Sequence, residues 1–231
     1  MYKGIYIALS GATLKHTQLD IISQNLANAN TLGFKRSDIS FKDYLLQSLE
    51  EPGARVMADI SGVATDFSEG ELVKTGNPLD VALEGRGFIS LEGGRYTRRG
   101  DLKVDEAGHL ATATGARVLG ESGPIIVPKG KVEIGSSGEV SVDGVQVGKI
   151  KVVDFKDPGA LRKGEEYFYS TEQGVESSAG VKQGYLETSN VDTIREMTRM
   201  ISTLREFEAF QKAITAFDEA TSKVTNDMGR L

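Results

Sequence analysis

Between Asn190 and Leu231 apolar or near-apolar side chains recur at Met200, Thr203, Phe207, Phe210, Ile214, Phe217, Thr221, Val224 and Met228. This alternating three-and-four spacing is a heptad seam, and it predicts a long amphipathic helix. Ser189 or Asn190 can cap its start, and Asp192 suits the positive end of its dipole. Glu208 to Lys212 and Glu219 to Lys223 are i,i+4 pairs for the outward face. A helix of this length with three phenylalanines on one seam calls for a partner helix.

A matching helix lies near the other terminus. Ile5, Ala12, Leu19 and Leu26 fall seven apart, with Leu9 and Ile22 between them, so residues 3 to about 28 share the same period. Asn25 and Leu26 stand in its last turns. The exit runs Asn28, Ala29, Asn30, Thr31, Leu32, Gly33, Phe34, Lys35, Arg36. Asn28, Asn30 and Gly33 can take the positive-φ conformations that end a helix, and Phe34 can fold back onto the last turn. Phe41, Tyr44, Leu45 and Leu46 read as a further short amphipathic helix. Beyond it the chain to about Gly70 shows little period, with Pro52, Gly53 and Gly62 marking an irregular connector.

From Leu72 the period becomes two. Short apolar runs such as Val81 to Leu83, Phe88 to Leu91, Val140 to Val142 and Ile150 to Phe155 alternate with turn residues, which predicts an antiparallel β domain. Asp143-Gly144 between valine-rich runs is a strong two-residue hairpin signal. The 27 glycines against 5 prolines suit a region of many tight turns. The expected class is therefore α+β, with paired long terminal helices, coiled-coil-like, and an inserted antiparallel β domain. Its divisions are residues 1–36 for the first helix and turn, 37–71 for the connector, 72–188 for the β domain and 189–231 for the second helix.

Two such helices would be marginal alone. About eight buried side chains at ~1.5–3 kcal/mol each face a backbone entropy cost of ~1 kcal/mol or more for every ordered residue. Apolar residues off the seam, Ile194, Met197, Ile201 and Leu204, are left to serve the β domain or neighbouring subunits. Residues alone thus predict a self- or co-assembling structural protein whose termini carry the assembly, since a heterologous contact that does not close generates a filament. The expected interface residues are Ile5, Leu9, Ala12, Leu19, Ile22 and Leu26 on one helix. On the other they are Met200, Phe207, Phe210, Ile214, Phe217 and Val224.

Composition narrows the partners. With 27 basic against 33 acidic residues the net charge is −6, which gives no basic excess for nucleic acid. Cysteine is absent, so disulfides and thiolate metal sites are excluded. The run Ile5 to Ala12 behind Lys3 is the only one that resembles a signal peptide, but Lys15, His16 and Asp20 soon interrupt it and the helical period continues through it. No window approaches the ~20 apolar residues of a membrane span.

Catalytic motifs are scarce. Gly85-Arg86-Gly87-Phe88 begins like a dinucleotide fingerprint, yet the third glycine is missing and a strand comes next. His16 and His109 have no partner at metal-ligand spacing. Asp66, Glu69 and Glu71, or Asp101 and Asp105, are the carboxylates an acid/base pair would need. They read as scattered solvated acids, and Arg95, Arg98 and Arg99 read as a small solvated basic group. No catalytic residue, cofactor or metal is expected.

Ser23-Gln24-Asn25-Leu26-Ala27-Asn28-Ala29-Asn30-Thr31-Leu32-Gly33-Phe34-Lys35 closely resembles the amino-terminal signature of bacterial flagellar rod and hook proteins. Gly184-Tyr185-Leu186-Glu187-Thr188-Ser189-Asn190-Val191 resembles the signature that opens their carboxy-terminal helix. Pro78-Leu79-Asp80-Val81-Ala82-Leu83, Gly87-Phe88 and Tyr96-Thr97-Arg98 resemble the family's central β domain. Leu32 departs from the proline or asparagine often found at that point of the turn. Within the family, Gly123 to Pro128, Arg205 to Glu208 and Ile214 to Glu219 are most similar to the proximal-rod members, with distal-rod members next. The resemblance implies a non-catalytic subunit of the hollow, torque-transmitting drive shaft of the basal body. It would be exported without a cleaved signal peptide by the flagellar type III apparatus and polymerise in the periplasm. Implied partners are copies of itself, other rod proteins and the export apparatus, with the ring bushing around the rod a candidate contact. The terminal helices would form the inner tube, the second one lining the channel. The alternatives are a distal-rod or hook subunit and, in another class, a periplasmic enzyme acting on peptidoglycan.

Overall fold

A computed structural model describes residues 2–40, 62–157, 159, 161–164, 166–170 and 172–228. The expected short helix at Phe41 to Leu46 lies outside the described residues. The chain divides into two compact units. A helical unit comprises Met1–Ala27, Ser37–Asp66 and Asp192–Leu231, and a β unit comprises Asn28–Arg36 and Phe67–Val191.

In the helical unit, α1 spans Tyr2–Ala27 and α2 spans Thr193–Met228. They pack antiparallel. A Cβ added to Gly4 would lie 2.9 Å from Cζ of Phe217, and one added to Gly11 would lie 2.6 Å from Cζ of Phe210. The His16 ring meets Phe207 edge-on at 6.1 Å between centroids. Two glycines seven residues apart on α1 thus receive two phenyl rings seven apart on α2. These notches let the backbones approach, and the apolar period alone does not mark them. Lys15 pairs with Glu206 at 2.5 Å beside the same seam.

α2 is capped by Asp192, whose Oδ1 accepts from the N–H groups of Ile194 and Arg195 at 3.0 and 3.1 Å. Neither Ser189 nor Asn190 takes that role, because helical geometry begins only at Thr193. The segment expected to be irregular contributes a short antiparallel ladder, Ser37–Ser40 against Gly62–Thr65. It belongs to the helical unit.

The β unit is antiparallel throughout its described ladders. Its first strands are zipped to its last. Leu72–Lys74 pairs with Tyr185–Glu187, and Val81–Glu84 with Gly180–Gln183. A six-stranded sheet runs in the order 162–163, 168–169, 95–97, 88–91, 152–154, 175–176. A three-stranded meander, Val132–Ile134, Glu139–Val142 and Val145–Lys149, turns at Asp143-Gly144. Both turn residues have positive φ, 51° and 83°, as a type I′ hairpin requires. One core gathers Leu83, Ile89, Leu91, Leu110, Val118, Val140 and Ile150, each nearly or fully shielded from solvent. A second is aromatic, with Phe88, Phe155 and Phe168 beside Phe67.

Candidate assembly surface and signature motifs

Each signature motif places an asparagine amide against a neighbouring backbone. Asn25, fully buried in the helical unit, donates from Nδ2 to the Ser37 carbonyl at 2.8 Å and accepts the Ser37 N–H at 2.9 Å. The amide thereby imitates one step of a β ladder. In the β unit Asn190 bridges two backbones in a similar way: its Oδ1 accepts the Arg36 N–H at 2.7 Å, and its Nδ2 donates to the Ser68 carbonyl and hydroxyl at 3.1 and 3.0 Å. These bonds tie separate segments together, where its position before α2 suggested a cap.

Gly33 has φ +64°, and a Cβ there would meet the backbone of Arg98 and Arg99 at 2.6 Å, so only glycine fits. Its N–H donates to the Glu187 carbonyl at 2.8 Å. Asn28 accepts from the Thr31 hydroxyl at 3.1 Å, and Asn30 is exposed. The Phe34 ring is faced by the Lys163 ammonium 3.6 Å from its centroid. Burial lowers the Lys163 pKa to about 8.

The centre of the two motifs is an ion triad. Lys35 Nζ donates to Glu187 Oε1 at 2.5 Å and to the Ser68 carbonyl at 2.6 Å. The same carboxylate oxygen accepts the Gly70 N–H at 3.0 Å, and Arg98 Nη1 reaches Oε2 at 3.2 Å. Arg98 Nη2 donates to the Gly85 carbonyl at 2.6 Å. Arg98 is therefore buried, not part of a solvated basic group as its neighbours in sequence suggest. Lys35 and Glu187 side chains are both 0% exposed. Burial pulls the Lys35 pKa down against the opposing pull of Glu187. Lys35 and Glu187 stand inside the two signatures, but the residues alone do not reveal that they pair.

The expected interface residues divide in the helical unit. Ala12 and Ile22 are buried, and Ile5, Leu19, Leu26, Met200, Phe207, Phe210, Ile214 and Phe217 are half-buried. Leu9 is 52% exposed, and the side chain of Val224 lies outside the described residues. A second apolar stripe, Ile194, Met197, Ile201 and Leu204, is exposed on α2.

Three of the candidate acids, Glu69, Asp101 and Asp105, are tied into structure. Glu69 accepts the Gly85 N–H at 2.9 Å, and Asp101 holds Arg99 through two bonds of 2.6 and 2.8 Å. The His109 N–H and Arg117 hold the Asp105 carboxyl below the usual range. His16 pairs with Asp20 at 3.2 Å. Among the described residues, no group of three or more His, Cys, Asp or Glu is placed to hold a metal, and no helix is long and apolar enough to cross a membrane.

Terminal helices paired in one unit, and an inserted antiparallel unit that holds Asn28 to Lys35 of the first signature and Gly184 to Val191 of the second, are the layout that the rod and hook resemblance implies. The family comparisons match the same regions. The flagella basal body rod protein description matches residues 5–35, the flagellar hook protein FlgE/F/G D1 domain residues 82–142, and the flagellar basal body rod FlgEFG C-terminal description residues 182–228. The chain is 33% identical to the basal-body rod protein FlgG of Bacillus subtilis over 265 residues, covering 98% of this chain and 99% of that one. It is 32% identical to FlgF of Caulobacter vibrioides over 244 residues, covering all of both, and 30% identical to FlgF of Escherichia coli over 243, covering 95% of each. The chain belongs to the flagellar basal-body rod protein family, and is of the FlgF/FlgG type.

Proposed function

We propose that this chain is a structural subunit of the proximal rod, the FlgF position, and that it polymerises through its helical unit into the hollow shaft that carries torque. The observation that carries the assembly reading is the uneven use of the two helices. Phe207, Phe210 and Phe217 are spent on pairing α2 with α1, yet Tyr6, Ile7, Ile194 and Ile201 remain more than half exposed. Apolar side chains left uncovered along a helix mark a surface made for a partner. The proximal assignment is supported by length: the chain aligns with FlgF of Caulobacter vibrioides over 244 positions and with FlgG of Bacillus subtilis over 265, so the FlgF alignment needs fewer gaps.

In this reading the subunit leaves the cell through the flagellar type III apparatus and stands in the periplasm, where the ring bushing is a further contact. Freedom from cysteine suits that route, since no premature disulfide can form in a narrow channel. The subunit carries no catalytic step; Glu69, Asp101 and Asp105, three of the carboxylates that an enzyme would need, are bound to an arginine or to backbone N–H groups.

Similarity to FlgG at 33% favours a distal-rod position as the second reading. Locating the subunit in isolated basal bodies decides between them. The proximal reading expects it below the distal rod and at lower abundance than the distal subunit. Distribution along the distal rod overturns the proximal assignment, and absence from basal bodies overturns the rod reading altogether.

A further inference from the structure

The exposed stripe on α2 is short and one-sided. Ile194, Met197, Ile201 and Leu204 succeed one another at steps of three, four and three, and are 79, 48, 56 and 45% exposed. The same line continues as Glu208, Gln211 and Thr215, so the apolar surface stops after about three turns. α1 bears its own exposed pair, Tyr6 at 63% and Leu9 at 52%, one turn apart. Because Gly4 meets Phe217 and Gly11 meets Phe210, that pair lies level with the later part of α2. The centres of the stripe and the pair are therefore separated along the helical unit by about fifteen residues of α2, or roughly 22 Å. One copy cannot bring them together.

Charge points the same way. From Thr193 to Arg205, α2 carries Arg195, Arg199 and Arg205 against Glu196; Arg199 is held by Asp38 and Glu196 at 2.9 Å each, and Arg195 and Arg205 stand on exposed positions. From Glu206 to Lys223 it carries four acids against two lysines. A helix macrodipole favours acids at the start and bases at the end, so this distribution works against the isolated helix. It suits a head-to-tail contact, in which the basic start of one α2 approaches the acidic later part of the next.

We infer that the stripe Ile194–Leu204 docks the Tyr6/Leu9 surface of a second copy of this chain, flanked by Arg195 and Arg205 facing that copy's Glu208, Asp218 and Glu219. Two unlike surfaces at opposite ends of one unit give a heterologous contact, which propagates without closing. The inference rests on the rod-subunit reading and specifies the surface by which that subunit meets its own kind.

The chain is free of cysteine, so introduced thiols are unique. Full-length Tyr6→Cys and Ile201→Cys proteins are treated with a short bismaleimide, alone, mixed, and combined in one chain, and the same double variant is probed in isolated basal bodies. The expected result is dimers from the mixture, a ladder of multiples from the double variant, and neither from the single variants. Adding Arg195→Glu and Arg205→Glu, both on exposed positions, should cut the cross-linked yield about tenfold with unchanged helix content. Dimers from Ile201→Cys alone would mean that the stripe meets itself, and a bridge within one chain would mean that the chain covers its own stripe; either overturns the inference. So does the double variant's presence in basal bodies without a bridge, a result that leaves the rod reading standing. Absence of the unmodified chain from basal bodies ends the rod reading and this inference together.

Discussion

Lys35 and Glu187 are 152 residues apart in sequence, and their charged ends meet at 2.5 Å with neither side chain exposed to water. Each belongs to a different signature motif, so both motifs are needed to complete the β unit. A buried pair is a weak source of net stability, but removing one partner strands the others. Lys35→Met leaves Glu187 with Arg98 and the Gly70 N–H, and Glu187→Gln leaves two buried cations around a neutral amide. Each variant should lose about 3–5 kcal/mol in urea unfolding of the full chain. A loss under about 1 kcal/mol would show that the triad is not buried as described.

The glycine notches give a prediction whose sign is informative. Ala normally stabilises a helix interior relative to Gly by up to ~1 kcal/mol. Gly11→Ala should instead destabilise the helical unit by ~1–3 kcal/mol, because its methyl would fall 2.6 Å from the Phe210 ring. Thermal unfolding tracked by the helical circular dichroism signal measures this. A rise in stability would contradict the antiparallel register.

Asn25→Asp keeps the shape of the side chain and one of its two bonds. The carboxylate still accepts the Ser37 N–H, but its second oxygen now opposes the Ser37 carbonyl in a fully buried setting. The expected loss is ~2–3 kcal/mol at neutral pH, and chemical denaturation checks it. Unchanged stability would mean that the Nδ2 bond contributes nothing.

How far the residues announce this fold depends on the range of the interaction. The heptad seam of α2 is local in sequence, and Phe207, Phe210 and Phe217 do face α1. Asp143-Gly144 is local as well, and it turns a hairpin where its φ preferences require. The connector reads as irregular because Ser37–Ser40 and Gly62–Thr65 find each other across more than twenty residues and carry no alternating pattern of their own. Glu187 and Arg98 are illegible for the same reason: a buried charge looks like a solvated one until its partner, far away in the chain, is known.

Lys163 makes stability depend on pH in the alkaline range. Its folded pKa, about 8, lies below the ordinary lysine value of 10.5 expected of the unfolded chain. Between those values the unfolded chain binds more protons, so unfolding becomes harder as pH rises. The β unit should gain stability from pH 8 to above 10, and lose that gain as pH falls through about 8. Unfolding midpoints across this range should flatten in Lys163→Met; an unchanged slope would assign the effect elsewhere.

The helical unit carries assembly in this reading, while the β unit folds in its own right. The most direct test is Phe207→Glu, scored by incorporation into isolated basal bodies and by protease resistance of residues 67–191. Exclusion from basal bodies with the β unit still resistant is the predicted result. Normal incorporation of Phe207→Glu would contradict it.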